Sequence, residues 1–347
     1  MDTALDTYLD KLWHTLFSKG VPGLVSPDEI RRRGQPHRQV RAAELREVAR
    51  VQRELAALVE GRLQLTAAGR LSEAVDDTAL NAVRLNPVIE QRGGDWRVAP
   101  LDAAAMLSQA GLAESVREVR RALTLRHIAV LAEEEGRRLP RERLQQTVVD
   151  PDWLARWQDA AAGCVSIELK RLWARLLAGE VLRPGTYSVR TLEFLRLVSR
   201  RDLEMVSLCA RFAFDGFIYR QPGRYFSATL HQPLFETLEE LGLLRGVYGR
   251  PETWLLASAT GDRFRAILPC QHRAIFIERG AGQDDLRFPV YRLTRFGREV
   301  LSLFPVEADT AYLLAVAGEF KKQGCEVQLG DWMHEGGQGL FAERLSL

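Results

Sequence analysis

The chain has 347 residues, 46% of them apolar and 27% charged, with a formal net charge of +2. That length suggests roughly two domains, and the composition is that of a globular protein with material for a large core. The net charge is too small to imply nucleic acid by itself.

No stretch approaches the roughly 18 apolar residues of a membrane-spanning helix. The acidic start, Met1 to Asp6, lacks the basic character of a signal peptide. Cys164, Cys209, Cys270 and Cys325 are widely spaced and read as free thiols of a reducing cytoplasm.

In chain order, Leu5, Leu9, Leu12, Trp13 and Leu16 recur at intervals of three and four and predict a first helix over 5–17. Val21-Pro22-Gly23 breaks it. Ser26-Pro27-Asp28-Glu29 restarts a helix with a cap, a proline at the first position and a capping-box carboxylate. This second helix is expected to run to about Leu63, with Pro36 as its kink or boundary. From Arg31 to Arg70 it holds ten Arg, four Glu and no Lys. Arg31, Arg32, Arg33, Arg38 and Arg41 lead that stretch, and guanidinium groups at this density suit phosphate. The competing reading is a solvated helix face.

Turn signals crowd 76–100, which reads as a loop or insertion with a short hairpin between Val88 and Val98. Helix resumes near Asp102 and reaches about Leu139, with a break expected at Gly111. Arg121 and His127 on this helix have the arginine–histidine spacing of one class of helical ribonucleases. The pattern is short and lacks an acid/base companion.

Asp150-Pro151 opens a helix bearing Trp153, Leu154 and Trp157. Ser166 is expected to cap the next, whose Leu169, Leu172, Trp173, Leu176 and Leu177 share a face until Pro184-Gly185. Ser188 and Ser199 are expected to cap two more. The tryptophans read as core rather than as stacking platforms for bases. After residue 215 the period changes. Strands are expected at Phe217–Tyr219, at Tyr225-Phe226, and near 243–248, 253–258, 273–278 and 287–292. Helices are expected at 231–241, from Thr294 and over 309–322, before a closing strand at 326–329.

The block Asp152-Trp153, then Trp173-Ala174-Arg175-Leu176-Leu177-Ala178-Gly179-Glu180, Pro184-Gly185, Ser188 and Arg190-Thr191-Leu192, resembles the bacterial family known as domain of unknown function twenty-eight-oh-six. That resemblance brings no activity with it. Fainter echoes occur at Pro27–Arg33 and at Leu293, Thr294 and Gly297. The motif also reads as helix packing, with Gly179 permitting close approach and Glu180 paired with Arg175 or Arg190. The order helix, Gly242 turn, strands, then Tyr291 to Gly297 has winged-helix grammar with an enlarged wing.

These readings give a mostly α protein with a smaller α+β part: N-terminal helices over 1–75, a loop or insertion over 76–100, a helical core over 101–214 and a winged-helix-like domain over 215–347. No cofactor or metal is expected, since Cys270 and His272 stand too close for a usual zinc pair. The favoured function is non-enzymatic docking of a protein partner, with the oligomeric state open. Sequence-indifferent nucleic-acid binding is the alternative, and a nuclease or effector of phage defence a third.

Overall fold

A computed structural model of the chain describes residues 3–17, 32, 37–60, 62–65, 71–73, 89–92, 95–98, 103–138, 144–220, 232–248, 250–258, 263–280, 285–335 and 338–346. The expected helix start at Ser26, the strand at Tyr225-Phe226, Arg31 and Arg33 lie outside these residues.

Helix α1 (Thr3–Phe17) buries Tyr8, Leu9, Leu12, Trp13 and Leu16, the stripe its spacing dictates. Helix α2 spans His37–Val59. Strands β1 (Leu63–Leu65) and β2 (Leu71–Glu73) pair with each other. Strands β3 (Ile89–Arg92) and β4 (Asp95–Val98) form the hairpin expected there. Helix α3 runs unbroken from Ala103 to Gly136, so the break expected at Gly111 does not occur. A single glycine costs a helix only about 1 kcal/mol. Gly111 is exposed, and its carbonyl accepts the Ser115 hydroxyl at 2.9 Å within the helix.

Helix α4 (Pro151–Ala162) begins where Asp150 accepts the amides of Asp152 and Trp153. Helix α5 (Ile167–Leu182) follows, with Ser166 accepting the Leu169 amide. It is the central helix, packed against α1 and α3, with Trp173, Ala174, Leu176, Leu177, Ala178 and Val181 all at 1% exposure or less. Helices α6 (Val189–Leu197) and α7 (Arg200–Ala210) complete the helical core, and Ser199 and Asp202 form a reciprocal capping box at the start of α7. The three helices α5 to α7 thus keep the expected boundaries.

The C-terminal part is built on two antiparallel sheets. In the first, β10 (Asp285–Leu293) takes β5 (Phe217–Tyr219) on one edge, with Tyr291 opposite Ile218. On its other edge it takes β6 (Leu244–Arg245) and β7 (Glu252–Ala257). Helix α8 (Gln232–Glu240) precedes β6 and helix α9 (Arg295–Leu301) follows β10. The second sheet has the order β12-β11-β9-β8, from β8 (Phe264–Cys270), β9 (Arg273–Arg279), β11 (Glu326–Glu335) and β12 (Gln338–Ser346). Helix α10 (Thr310–Lys322) packs against β9 and β11.

Two strands depart from expectation. β8 is not among the expected strands; it is an edge strand, where the missing N–H of Pro269 is tolerated. The closing strand runs on past Leu329 to Glu335 through a register irregularity, and β12 pairs with it.

One hydrophobic core continues from the helices into the sheets. Phe212 and Phe214 at the end of α7 pack on Tyr312 of α10, with ring centroids 5.1 and 6.0 Å apart. Tyr312 Oη accepts the Tyr219 amide at 2.9 Å and ties β5 to α10.

Candidate functional site

The block around Trp173 is an arrangement of buried groups around one turn. Residues 183–188 connect α5 to α6, with Gly185 at φ +83°, a backbone state that favours glycine. Glu180, 2% exposed, reaches across this turn and accepts the amides of Gly185 at 2.6 Å and Tyr187 at 2.9 Å. Burial pushes its carboxyl up; the amides of Gly185, Tyr187 and Thr186 oppose the rise, and the charge of Glu299 adds to it. Lys11 lies close by, donating to the carbonyls of Val181 and Gln145.

Glu180 therefore does not pair with Arg175 or Arg190, as its sequence position suggested. Arg175 bonds Glu135 at 2.9 Å and the Leu303 carbonyl at 3.1 Å, and Arg190 lies 4.3 Å over the Phe296 ring. Backbone amides win because they stand within one turn and need no second charge buried.

Glu299 of α9 holds the far side of the turn. One of its oxygens accepts the Ser188 amide, the Ser188 hydroxyl and the Thr191 hydroxyl at 2.8, 2.6 and 2.7 Å. Ser188 occupies the cap position of α6, but its hydroxyl serves Glu299 instead of the helix. Gly179 is needed because a Cβ there would stand 2.8 Å from Tyr187 Cε2. Gly297 is needed because a Cβ would fall 2.0 Å from the Leu243 carbonyl oxygen. Leu177 and Leu192 are fully buried, and Trp153 and Trp157 donate their indole N–H groups to the carbonyls of Tyr187 and Trp173. Pro184 lies in the same turn.

Beside this assembly opens a cavity of about 280 Å³. Phe194, Leu197 and Val198 of α6 and its end form one wall; Leu241 and Phe296 form the other. Arg190, Glu193 and Asp202 bring the polar groups. Phe194 meets Phe296 edge-on at 5.6 Å, and Leu197 is 75% exposed at the rim. Glu193 is paired with Arg196. Asp202 is engaged by its own helix cap, so its charge faces no cation among the described residues.

Of these residues only Arg190 was singled out from the sequence. The available signal was that α6 carries two apolar stripes. Leu192 and Leu195 form the buried one; Phe194 and Leu197, three residues apart, form the second.

The other candidates lie elsewhere. Arg32 and Arg38 are exposed. Arg41 is 6% exposed, donates to Glu133 at 2.7 Å, pairs with Glu44 and lies 4.7 Å over the Trp13 ring. Its guanidinium is thus committed to the fold. Arg50 farther along α2 is paired with Glu47 and Glu54. Glu133, 1% exposed, also bonds His37 and Arg137. Burial alone would raise its carboxyl, but the His37 hydrogen bond and the charges of Arg41, His37 and Arg137 outweigh it and hold it below the ordinary range.

Arg121 pairs with Asp159 at 3.3 Å. His127 is half-buried, and burial, then the charges of Lys170 and Arg171, lower its pKa. Six residues on a helix separate two side chains by about 120° and 9 Å, so the pair does not converge. All four cysteines are buried and free. Cys270 Sγ donates to the Arg211 carbonyl and His272 pairs with Glu307. Among the described residues no group of three or more His, Cys, Asp or Glu side chains is placed to hold a metal ion, and no helix is long and apolar enough to cross a membrane.

Residues 115–216 match the family model described as "Protein of unknown function (DUF2806)". The turn clamped by Glu180, the whole Trp173–Glu180 block and the α6 wall of the cavity fall within that match. No curated protein and no solved structure matches the chain.

Proposed function

We propose that the helical core, of which residues 115–216 match the DUF2806 family model, and the C-terminal part together form a docking protein for a polypeptide partner. The observation that carries this reading is the open cavity between α6 and α9, apolar within and bordered by Asp202, a carboxylate that meets no cation among the described residues. Its volume suits one large apolar side chain. The occupant is a segment presenting such a side chain beside a lysine or arginine, the cation meeting Asp202. Anchoring of one apolar side chain in a pocket, with polar groups around it, is the usual energetic centre of a protein interface.

The C-terminal part serves this role as a winged-helix-like module. The order α7, β5, α8, β6 and β7, β10 supports that likeness, as does the pairing of β5 with β10 beside the wing strands. The hairpin β8–β9 interrupts the wing and joins the second sheet. Helix α8 suits protein contact better than a DNA groove. It carries Glu236, Glu239 and Glu240 and no Lys or Arg, and phosphates repel carboxylates. Glu239 accepts the amides of Gly246 and Tyr248, fixing the turn that follows β6.

Selection from a random peptide display library tests this reading. Enriched peptides are expected to share an apolar residue next to Lys or Arg. Enrichment without such a consensus, or none at all, would remove it.

A further inference from the structure

Helix α2 carries two sets of arginines. Arg41 and Arg50 are engaged by carboxylates of the protein itself. Arg38, Arg46 and Arg53 are exposed, and among the described residues none of them is in an ion pair. At about 100° per residue, these three fall within about 80° of the helix circumference. Glu44, Glu47 and Glu54 of the same helix lie outside that arc, as do the buried Arg41 and Val48. Ala42 and Ala49, exposed between the arginines, leave the helix surface open to close approach. Glu60, just past the helix on that side, is paired with Arg62.

Two of the three share one conformation. Arg46 Nε–H donates to the Ala42 carbonyl at 3.2 Å, and Arg53 Nε–H donates to the Ala49 carbonyl at 3.3 Å. Each guanidinium is thus anchored through Nε to the turn before it. Its two terminal nitrogens have no acceptor among the described residues. A guanidinium presents paired N–H groups in a rigid fork that fits two oxygens of one phosphate. Along the axis the three positions are spaced about 12 and 10.5 Å apart, a straight row about 22 Å long.

A straight row of cations fits a polymer whose charges repeat along a line. About 22 Å spans six or seven phosphates of one strand of a duplex. Single strands are held largely by aromatic side chains stacked on bases, and α2 contains no Phe, Tyr or Trp. Phosphate contacts position a duplex without reading its sequence. We propose that this face of α2 binds the phosphate backbone of a nucleic-acid duplex, independent of sequence, through Arg38, Arg46 and Arg53. Arg46 and Arg53 take the part that Arg41 was expected to play. The face is separate from the cavity beside α6, which α2 does not line.

The test is the affinity of the full chain for fluorescent duplexes of two unrelated sequences and for one of their single strands, measured from 50 to 200 mM salt. Each phosphate contact contributes about 0.9 to the slope of log affinity against log salt. Replacing Arg38, Arg46 and Arg53 together by Gln is therefore expected to make the slope shallower by about 2.7. Over that fourfold range of salt the wild type should lose about fortyfold more affinity than the variant. Arg46→Gln alone should make the slope shallower by about 0.9 and serves if the triple variant does not fold. Arg287→Gln, at an exposed β10 position with no ion pair among the described residues, should leave the slope unchanged. The two duplexes should bind equally and the single strand more weakly. An unchanged slope in the Arg38, Arg46 and Arg53 variants, an equal change with Arg287→Gln, or no binding at 50 mM salt would overturn the proposal. So would tighter binding of the single strand. Displacement of the duplex by polyglutamate as effectively as by unlabelled duplex would assign the face to an acidic protein instead.

Discussion

The Glu180 carboxylate accepts the Tyr187 amide at 2.9 Å while the Tyr187 ring lies over Gly179, the residue just before Glu180. The turn after α5 is thus held by hydrogen bonding and by close packing from neighbouring residues. Gly179→Ala places a methyl 2.8 Å from a buried ring and is expected to cost about 1–3 kcal/mol, the range for overpacking a tight core. Glu180→Ala leaves the amides of Gly185 and Tyr187 without their acceptor, at about 1–3 kcal/mol for each buried orphan. Urea denaturation checks both, and unchanged midpoints would show that the turn repacks freely.

Trp173 is 1% exposed at the centre of α5. Its truncation to alanine is expected to cost about 3–5 kcal/mol, the usual penalty for emptying a large core position. A denaturation midpoint that stays in place would contradict its position in the core.

Two buried carboxylates should give the stability–pH curve limbs of opposite sign. The Glu133 carboxyl is held below its ordinary 4.5 in the folded chain. Its contribution is therefore present above that value and lost as pH falls through the lower, folded one. The Glu180 carboxyl is raised above 4.5, so its contribution is present below 4.5 and lost as pH rises through the folded value. Glu133→Gln is expected to flatten the acid limb and Glu180→Gln the limb above 4.5. Measuring the denaturation midpoint across pH for the three proteins checks the signs; identical slopes would refute the assignment.

No hydrolysis depending on Arg121 and His127 is expected. Arg121 is engaged by Asp159, and the two side chains point about 120° apart. Incubation with RNA, DNA and nucleotides provides the check. Cleavage abolished by His127→Ala would make the nuclease reading the better one.

Much of this architecture was legible in the residues. The stripe of α1, the Asp150 and Ser166 caps and the Ser199–Asp202 box are local features, and local features survive folding. What stayed hidden depends on distant partners. The hydroxyl of Ser188 serves Glu299, 111 residues away. Arg41, which reads as a phosphate ligand in its Arg-rich stretch, turns inward to Glu133. Gly297 looks like an ordinary helix residue until Leu243 is seen against it. The cavity beside α6 needs α9, about a hundred residues downstream, before the second apolar stripe of α6 has anything to face.

The central claim is that the cavity beside α6 receives an apolar side chain with an adjoining cation. Its most direct test is the dissociation constant of a display-selected peptide of that type, measured for wild type and for Leu197→Asp. Leu197 is largely exposed, so the substitution is expected to change stability by no more than about 0.5 kcal/mol. Binding is expected to weaken at least about tenfold, or about 1.4 kcal/mol. Equal affinity of the two folded proteins would place the peptide elsewhere and contradict the account.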